Sequence, residues 1–354
     1  MVLEPSRQRS QPVVSRMLRF INKPQRPTEQ TVVHDLVGCC GKLPIHGDFI
    51  RHNLKIREAV TLDDWVQDGV TLLNRRYDQK WKRVFQLSPN FRFAFVGVEN
   101  DRTITGVIAP SRDRIGRDYP FVLFRASDDP IFKQQQALVP LAYMDTYRTV
   151  DALLCQPWQN TSLESVLAQI DSERHLHADL ADFNWHEQLQ AILDNTTIGE
   201  IWDDILPGAD TTIRVAFMYV VMSSLQTVAR RSPQRVHWGL RIPLPSGENA
   251  NKHLAFWLQL SDAVLKGRNW RASLIWNPPV PGIPARLLLF FHQIPASYFA
   301  LLIDPRRSDD TVLDVLEEIE ELNADPMQIS KFHFPSDMSL QEVMDEVTNS
   351  LVTT

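Results

Sequence analysis

The chain has 354 residues, with 37 Lys+Arg against 43 Asp+Glu and a formal net charge of −6. Its 44% hydrophobic and 23% charged content is that of an ordinary folded protein and excludes a disordered or collagen-like chain. Glycine is scarce (13) beside proline (23), which argues against a glycine-rich, phosphate-cradling enzyme.

The charge is unevenly placed. Residues 1–34 hold six basic and two acidic residues, net +4. Residues 308–354 hold twelve acidic residues and a single basic one, Lys331, net −11. The first 34 residues, rich in Arg, Gln, Ser and Pro, read as a flexible basic arm. Arginines interrupt its apolar stretch at 13–21, so it lacks the 7–15-residue apolar core of a signal peptide. With net +4 and no DNA-binding motif, nucleic acid is not an expected partner. Cys39, Cys40 and Cys155 make an odd count with no C-x-x-C, which suits a reducing cytoplasm and offers neither a disulfide framework nor a zinc site. The longest buried-looking run, Val215–Met222, falls far short of the roughly 20 residues that span a bilayer. A cytoplasmic chain without stable membrane insertion is expected.

Order is predicted from about Leu36. Gly38–Pro44 has the punctuation of a short strand entering a tight turn. Thr61-Leu-Asp-Asp64 resembles a capping box, followed by Leu62, Trp65, Val66, Val70, Leu73, Tyr77 and Trp81 at helical spacing; 61–85 reads as one long helix or two. Strands follow at 91–98, 103–109 and 121–124, the first two joined as a hairpin. Helices are predicted at 137–155, 162–170, 185–193 and 213–231. Strands return at 237–243, 273–276 and 286–291, with a short helix at 296–303. The interleaving across 35–305 predicts one α/β domain with a mixed sheet. Beyond it, 308–354 reads as an acidic helical C-terminal tail: one helix over 311–322, and a second opened by the capping box Ser339-Leu-Gln-Glu342. Exposed solvated helices and a partner-docking tail are both compatible with that pattern.

Two polar, glycine-bearing stretches stand apart from generic core. The first is Gly41-Lys42-Leu43-Pro44-Ile-His-Gly47-Asp48-Phe49-Ile-Arg51. The second runs from Gly106 through Pro110-Ser111-Arg112-Asp113-Arg114-Ile-Gly116-Arg117-Asp-Tyr-Pro120 to Phe121. Gly41, Pro44 and Gly47 shape turns, Asp48 is placed to cap one, and Arg51 stands three residues on to pair with it. An Asp113–Arg117 or Asp48–Arg114 fork would be a bidentate, charge-assisted pair. Such a cluster reads three ways: a salt-bridge network locking two loops, a polar patch for a partner, or a catalytic group. Catalytic patterns are weak. Gly41-Lys42-Leu43 lacks the glycine spacing and Ser/Thr of a Walker A, and Ser111 lacks a G-x-S-x-G context. His175, His177 and Asp179 read as a solvated loop rather than metal ligands, and Trp65, Trp81, Trp270 and Trp276 as core.

With the Trp65…Trp81 helix between them, these stretches resemble the TagF family, also called ImpM, associated with bacterial type VI secretion. That family shows G-K-L-P-x-x-G-D-F, a Trp-bearing helix, an aromatic strand, then P-S-x-D-x-x-G-R-x-[FY]-P. The strong resemblance covers roughly 35–125. A weaker echo runs to about 304, through Ala272-Ser-Leu-Ile-Trp276 and Pro295–Leu302, with Ile275 standing for one Trp. The resemblance implies a three-layer α/β/α sandwich. It implies a non-enzymatic cytoplasmic accessory that restrains assembly of the secretion apparatus after translation, by binding a component such as a forkhead-associated-domain scaffold. It implies no cofactor. The alternative is a hydrolase- or phosphatase-like enzyme using Asp48, Asp113 and the neighbouring arginines.

Overall fold

The computed structural model describes residues 35–78, 80–158, 161–172, 184–303 and 311–352. The predicted basic arm (1–34), His175, His177 and Asp179, and the junction at 305–307 lie outside the described residues. Nine strands form a single sheet: β1 (Leu36–Gly41), β2 (Ile50–His52), β3 (Phe91–Phe95), β4 (Thr103–Ala109), β5 (Phe121–Ser127), β6 (Gly239–Pro243), β7 (Ser273–Asn277), β8 (Arg286–Phe290) and β9 (Val312–Asp314). Their order is β2-β1-β5-β4-β3-β7-β8-β6-β9. Every neighbouring pair is antiparallel except β6–β9, which is parallel, so the sheet is mixed as the sequence predicts.

The helices are α1 (Arg57–Tyr77), α2 (Lys80–Gln86), α3 (Ile131–Gln134), α4 (Leu138–Ala142), α5 (Met144–Cys155), α6 (Leu163–Ser172), α7 (Trp185–Asn195), α8 (Ile198–Ile205), α9 (Thr211–Arg231), α10 (Asn249–Val264), α11 (Ala300–Ile303), α12 (Val315–Glu320), α13 (Pro326–Ile329) and α14 (Leu340–Val352). They cover both faces of the sheet, because successive strand residues point to opposite sides. Val37, Cys39, Val107, Leu123 and Leu289 enter one core with α4–α10 and α14. Cys40, Ile108, Val122, Phe124 and Leu288 enter another with α1, α2 and α11. Three layers result. Ala59, Leu62, Val66, Val70 and Leu73 form the single buried stripe that seats α1.

Several local expectations are corrected. Thr61–Asp64 is not a cap: α1 starts at Arg57, and Asp63 lies buried in its second turn, accepting from Arg51 Nε (2.9 Å) and Gln67 Nε2 (2.9 Å). The helix predicted at 137–155 is two, broken at Tyr143. Neither α8 nor α10 is predicted. In α10, residues 253–258 are all buried, so no polar face marks the helical period. α9 is the one helix among the described residues long and apolar enough by composition to cross a membrane. Phe217, Met218, Val221, Met222 and Leu225 lie in the core.

The largest correction concerns 308–354. Residues 312–314, expected as helix, are β9, paired with β6 through Gly239↔Val312 and Arg241↔Asp314. The cause is the acid itself: Asp314, 4% exposed, receives Arg286 Nη1 at 2.9 Å and Arg241 Nη1 at 3.4 Å. α14 does open with the predicted box, Glu342 N–H donating to Ser339 Oγ and Ser339 N–H to Glu342 Oε2. It buries Leu340, Val343, Met344 and Val347 against α7 and α10. A bridge between Thr197 and Ser339 ties its start to that of α8, which has its own box at Thr197 and Glu200. This segment completes the sheet and one helical layer rather than standing apart from them.

Candidate functional site

The two motif stretches meet at one end of the sheet because β1 and β5 are neighbours, with Gly41 opposite Phe121. Gly41 has φ +114°, and a Cβ there would sit 2.0 Å from the Pro120 carbonyl oxygen, so only glycine lets the strands close this tightly. Lys42 N–H then donates to the same Pro120 oxygen (3.3 Å), and Leu43 enters the core. Between β4 and β5, Pro110 and Ser111 lead into a tight turn. Arg112 bridges to Asp118, Gly116 N–H donates to the Asp113 carbonyl (2.9 Å), and Gly116 itself has φ +86°. The Ser111 carbonyl accepts from Tyr119 N–H (3.0 Å) and Gln86 Nε2 (3.0 Å), tying the loop to α2.

Asp113 is the hub. Its side chain is fully buried, and both oxygens are occupied. Oδ1 accepts from Ile115 N–H (3.1 Å) and Arg117 N–H (2.8 Å); Oδ2 accepts from Lys42 Nζ (3.0 Å) and Arg117 Nε (2.6 Å). Burial alone would raise its pKa, but the Arg117 backbone N–H, the Lys42 ammonium and the Arg117 guanidinium outweigh it. They hold the carboxyl well below the usual range. Arg117 also donates to the Gly47 carbonyl (2.6 Å), and Arg114 N–H to that of His46 (2.9 Å), so the second loop clamps the first.

The structure thus joins Lys42, Gly47, Asp113 and Arg117. Asp113 and Arg117 pair, but through one guanidinium nitrogen, Nε, and the Arg117 backbone N–H rather than as a bidentate fork, because Nη2 goes to Gly47; the Asp48–Arg114 fork and the Asp48–Arg51 pair do not form. Asp48 is exposed, its nearest cation Arg117 Nη2 at 3.9 Å, and Arg51 is taken by Asp63. Lys42 is read from the sequence as a motif residue but not as an ion-pair partner of Asp113, a contact across 71 positions. Trp65 and Trp276 lie away from this cluster. Trp65 packs in α1 on Phe95 and Phe299, and Trp276 in β7 on Tyr147.

What the knot presents outward is mixed. Phe49 is 49% exposed and Ile115 70% exposed, beside the exposed Asp48, Arg112, Arg114 and Arg117. Phe49 is braced edge-on by Tyr119 (4.8 Å between ring centroids) and has Lys42 Nζ 4.8 Å from its ring centre. Among the described residues no group of three His, Cys, Asp or Glu is placed to hold a metal. A cleft of about 350 Å³ lies at the far end of β3 and β4, lined by Trp65, Phe95 and Arg271 among others.

Fold and site define an α/β sandwich that displays a braced pair of polar loops. Residues 38–173 match the TagF N-terminal domain, type VI secretion system-associated, and both motif stretches fall inside the match. The likeness to that domain covers these residues alone; the echo at Ala272–Trp276 lies beyond them. No curated protein matches the chain. Among solved structures it is similar to the crystal structure of PA0076 from Pseudomonas aeruginosa PAO1, with 16% identity, a TM-score of 0.42, and coverage of 77% of this chain and 96% of that one.

Proposed function

We propose that this protein is a non-enzymatic accessory of the bacterial type VI secretion system. It restrains assembly after translation by binding a cytoplasmic component through the loop surface around Phe49 and Ile115. The observation that carries the reading is the buried Lys42–Asp113–Arg117 knot. It spends its polar atoms internally and holds an apolar pair and three arginines outward on two fixed loops. Apolar anchors ringed by arginine suit an interface. An acid–base catalyst needs an accessible carboxyl tuned toward its working pH, whereas Asp113 is saturated with donors and Asp48 stands apart from it. The forkhead-associated-domain scaffold is the partner that the family resemblance implies.

The test is a pull-down from a bacterium carrying the secretion cluster, using wild type and a Phe49→Asp/Ile115→Asp double variant whose circular dichroism matches wild type. The scaffold should be retained by wild type and lost by the variant. Equal retention by both sinks the surface, and recovery of no secretion component by wild type sinks the function.

A further inference from the structure

Phe95 on β3 and Ser273 on β7 are direct cross-strand partners, so their side chains leave the sheet on the same face. That face lies under α1, because Phe95 packs edge-on against Trp65 at 5.9 Å between ring centroids. Arg271, two residues before Ser273, reaches across to the end of β3. Its Nε donates to the Gly97 carbonyl (3.1 Å) and its Nη1 to that of Trp270 (2.7 Å), which fixes the guanidinium plane. Nη2 carries an N–H on the same side as Nε–H, the side of Gly97, and bonds to nothing among the described residues. Arg271 is half-buried, and Nη2 is not among its chain's sealed, unpartnered atoms: it keeps open surface.

Arg271, Gly97, Ser273, Phe95 and Trp65 all line the cleft of about 350 Å³ at the far end of β3 and β4. Leu62 of α1 and Ile294 extend its apolar wall. Ser273 is 4% exposed, and its hydroxyl, likewise unpartnered among the described residues, is not sealed off either. The other charges of the lining are spent. Arg57 pairs with Asp101, Glu58 Oε1 accepts from Arg102 N–H (2.9 Å), and Arg102 Nη2 lies 3.5 Å from Asp128. Three arginines against two acids leave one uncompensated charge, and Arg271 is the arginine without an ion pair among the described residues. Asp262, the acid whose charge it feels, is already bonded by Gln136 (3.1 Å) and Trp270.

A partly desolvated guanidinium favours an anion that replaces its lost water. One nitrogen and one hydroxyl suit a single negative charge, whereas a phosphate dianion would lack donors and face Glu58 and Asp101. We propose that this cleft binds a small carboxylic acid with an aromatic or branched aliphatic body. The carboxylate accepts from Arg271 Nη2, Ser273 offers the second donor of that wall, and the body lies against Trp65, Phe95 and Ile294. A cleft of this volume holds such a molecule. The site stands apart from the motif loops and does not depend on the secretion reading.

The experiment is calorimetry of the full-length protein in chloride buffer, titrated with phenylacetate, isovalerate, phosphate and the neutral isostere phenylacetamide. Phenylacetate or isovalerate should saturate at one per chain, and phenylacetamide should bind at least about tenfold more weakly than phenylacetate. Arg271→Gln should weaken phenylacetate by about tenfold and leave phenylacetamide unchanged, a difference that loss of structure does not produce. Saturation by neither acid, equal affinity for the amide, tighter binding of phosphate, or unchanged phenylacetate affinity in Arg271→Gln each overturns the proposal. Should Arg271→Gln not fold, Thr61→Trp decides, since Thr61 is an exposed α1 residue at the cleft. The larger side chain should abolish phenylacetate binding, and binding that persists places the acid elsewhere and overturns the assignment.

Discussion

Lys42 and Asp113 are both buried, and Asp113 is the carboxylate that Lys42 meets there, while Asp113 also holds Arg117. Removing one partner strands the other in a low-dielectric site, whereas replacing both with apolar groups removes the conflict. Lys42→Met and Asp113→Leu should therefore each lower the urea midpoint at pH 7 more than the double variant does. Strictly additive losses would show that the two do not depend on each other. The Asp113 carboxyl is held below its unfolded value, so its stabilisation is present above about pH 4 and is lost as pH falls through and below that point. Lys42→Met should flatten that acid limb. Gly41→Ala meets both a positive φ and the Pro120 oxygen 2.0 Å from the new Cβ. A loss of at least about 2 kcal/mol in urea unfolding is expected; a neutral result would mean that β1 and β5 can move apart at no cost. The Asp113–Arg117 pairing, though not its bidentate form, was legible from i,i+4 spacing inside a tight turn. The Lys42 contact spans 71 positions of sequence, and no local pattern encodes it.

α10 shows why an element can be invisible in sequence and still organise the molecule. Its apolar residues run all round, so periodicity is silent, yet it also buries two titratable groups of opposite habit. Desolvation lowers the His253 pKa to about 4, against the opposing pull of Asp204, whose Oδ2 lies 3.1 Å from Nε2. Desolvation raises that of Asp262 to about 6, against bonds from Gln136 and Trp270. For His253 the folded value lies below the unfolded one near 6.5, so its contribution is present above pH 6.5 and lost as pH falls toward 4. For Asp262 the folded value lies above the unfolded one near 3.9, so ionising it costs stability as pH rises from about 4 to 6. Across the same window the two oppose each other and mask one another in the wild-type profile. Asp262→Asn should be more stable than wild type at pH 7.5 by about 2 kcal/mol, and should lose stability more steeply between pH 6.5 and 4. His253→Gln should lose less over that window than wild type. Urea midpoints at pH 4.5, 6 and 7.5 check both, and parallel profiles for all three proteins would remove the assignment. Among the legible helices, α1, α6, α7 and α14 each keep one wet face. The break at Tyr143 and the strand at 312–314 were not legible, because packing against distant chain decides them.

For the whole molecule, the net −11 of residues 308–354 suggested solvated helices, and most of those acids do face water: Glu317, Glu318, Glu320 and Glu321 are exposed. Among the described residues Asp314 is the exception, and it sits where β9 closes the edge of the nine-stranded sheet. Its carboxylate is the acid beside Arg241, which is 1% exposed, and also takes Arg286 from β8. The count of charges is therefore a poor guide to their weight, since an exposed acid keeps its hydration while Asp314 has exchanged it for two guanidinium groups. Asp314→Ala takes a buried carboxylate from both Arg241 and Arg286 and should cost about 3 kcal/mol. Changing Glu317, Glu318, Glu320 and Glu321 together to Gln removes four times the charge, and each change should stay within about 0.5 kcal/mol. Thermal and urea unfolding of the two variants beside wild type compares them directly. If the quadruple variant is the less stable, the segment acts through its net charge. If Asp314→Ala is, the acidic stretch is bound into the molecule through β9, and its charge is incidental to the fold.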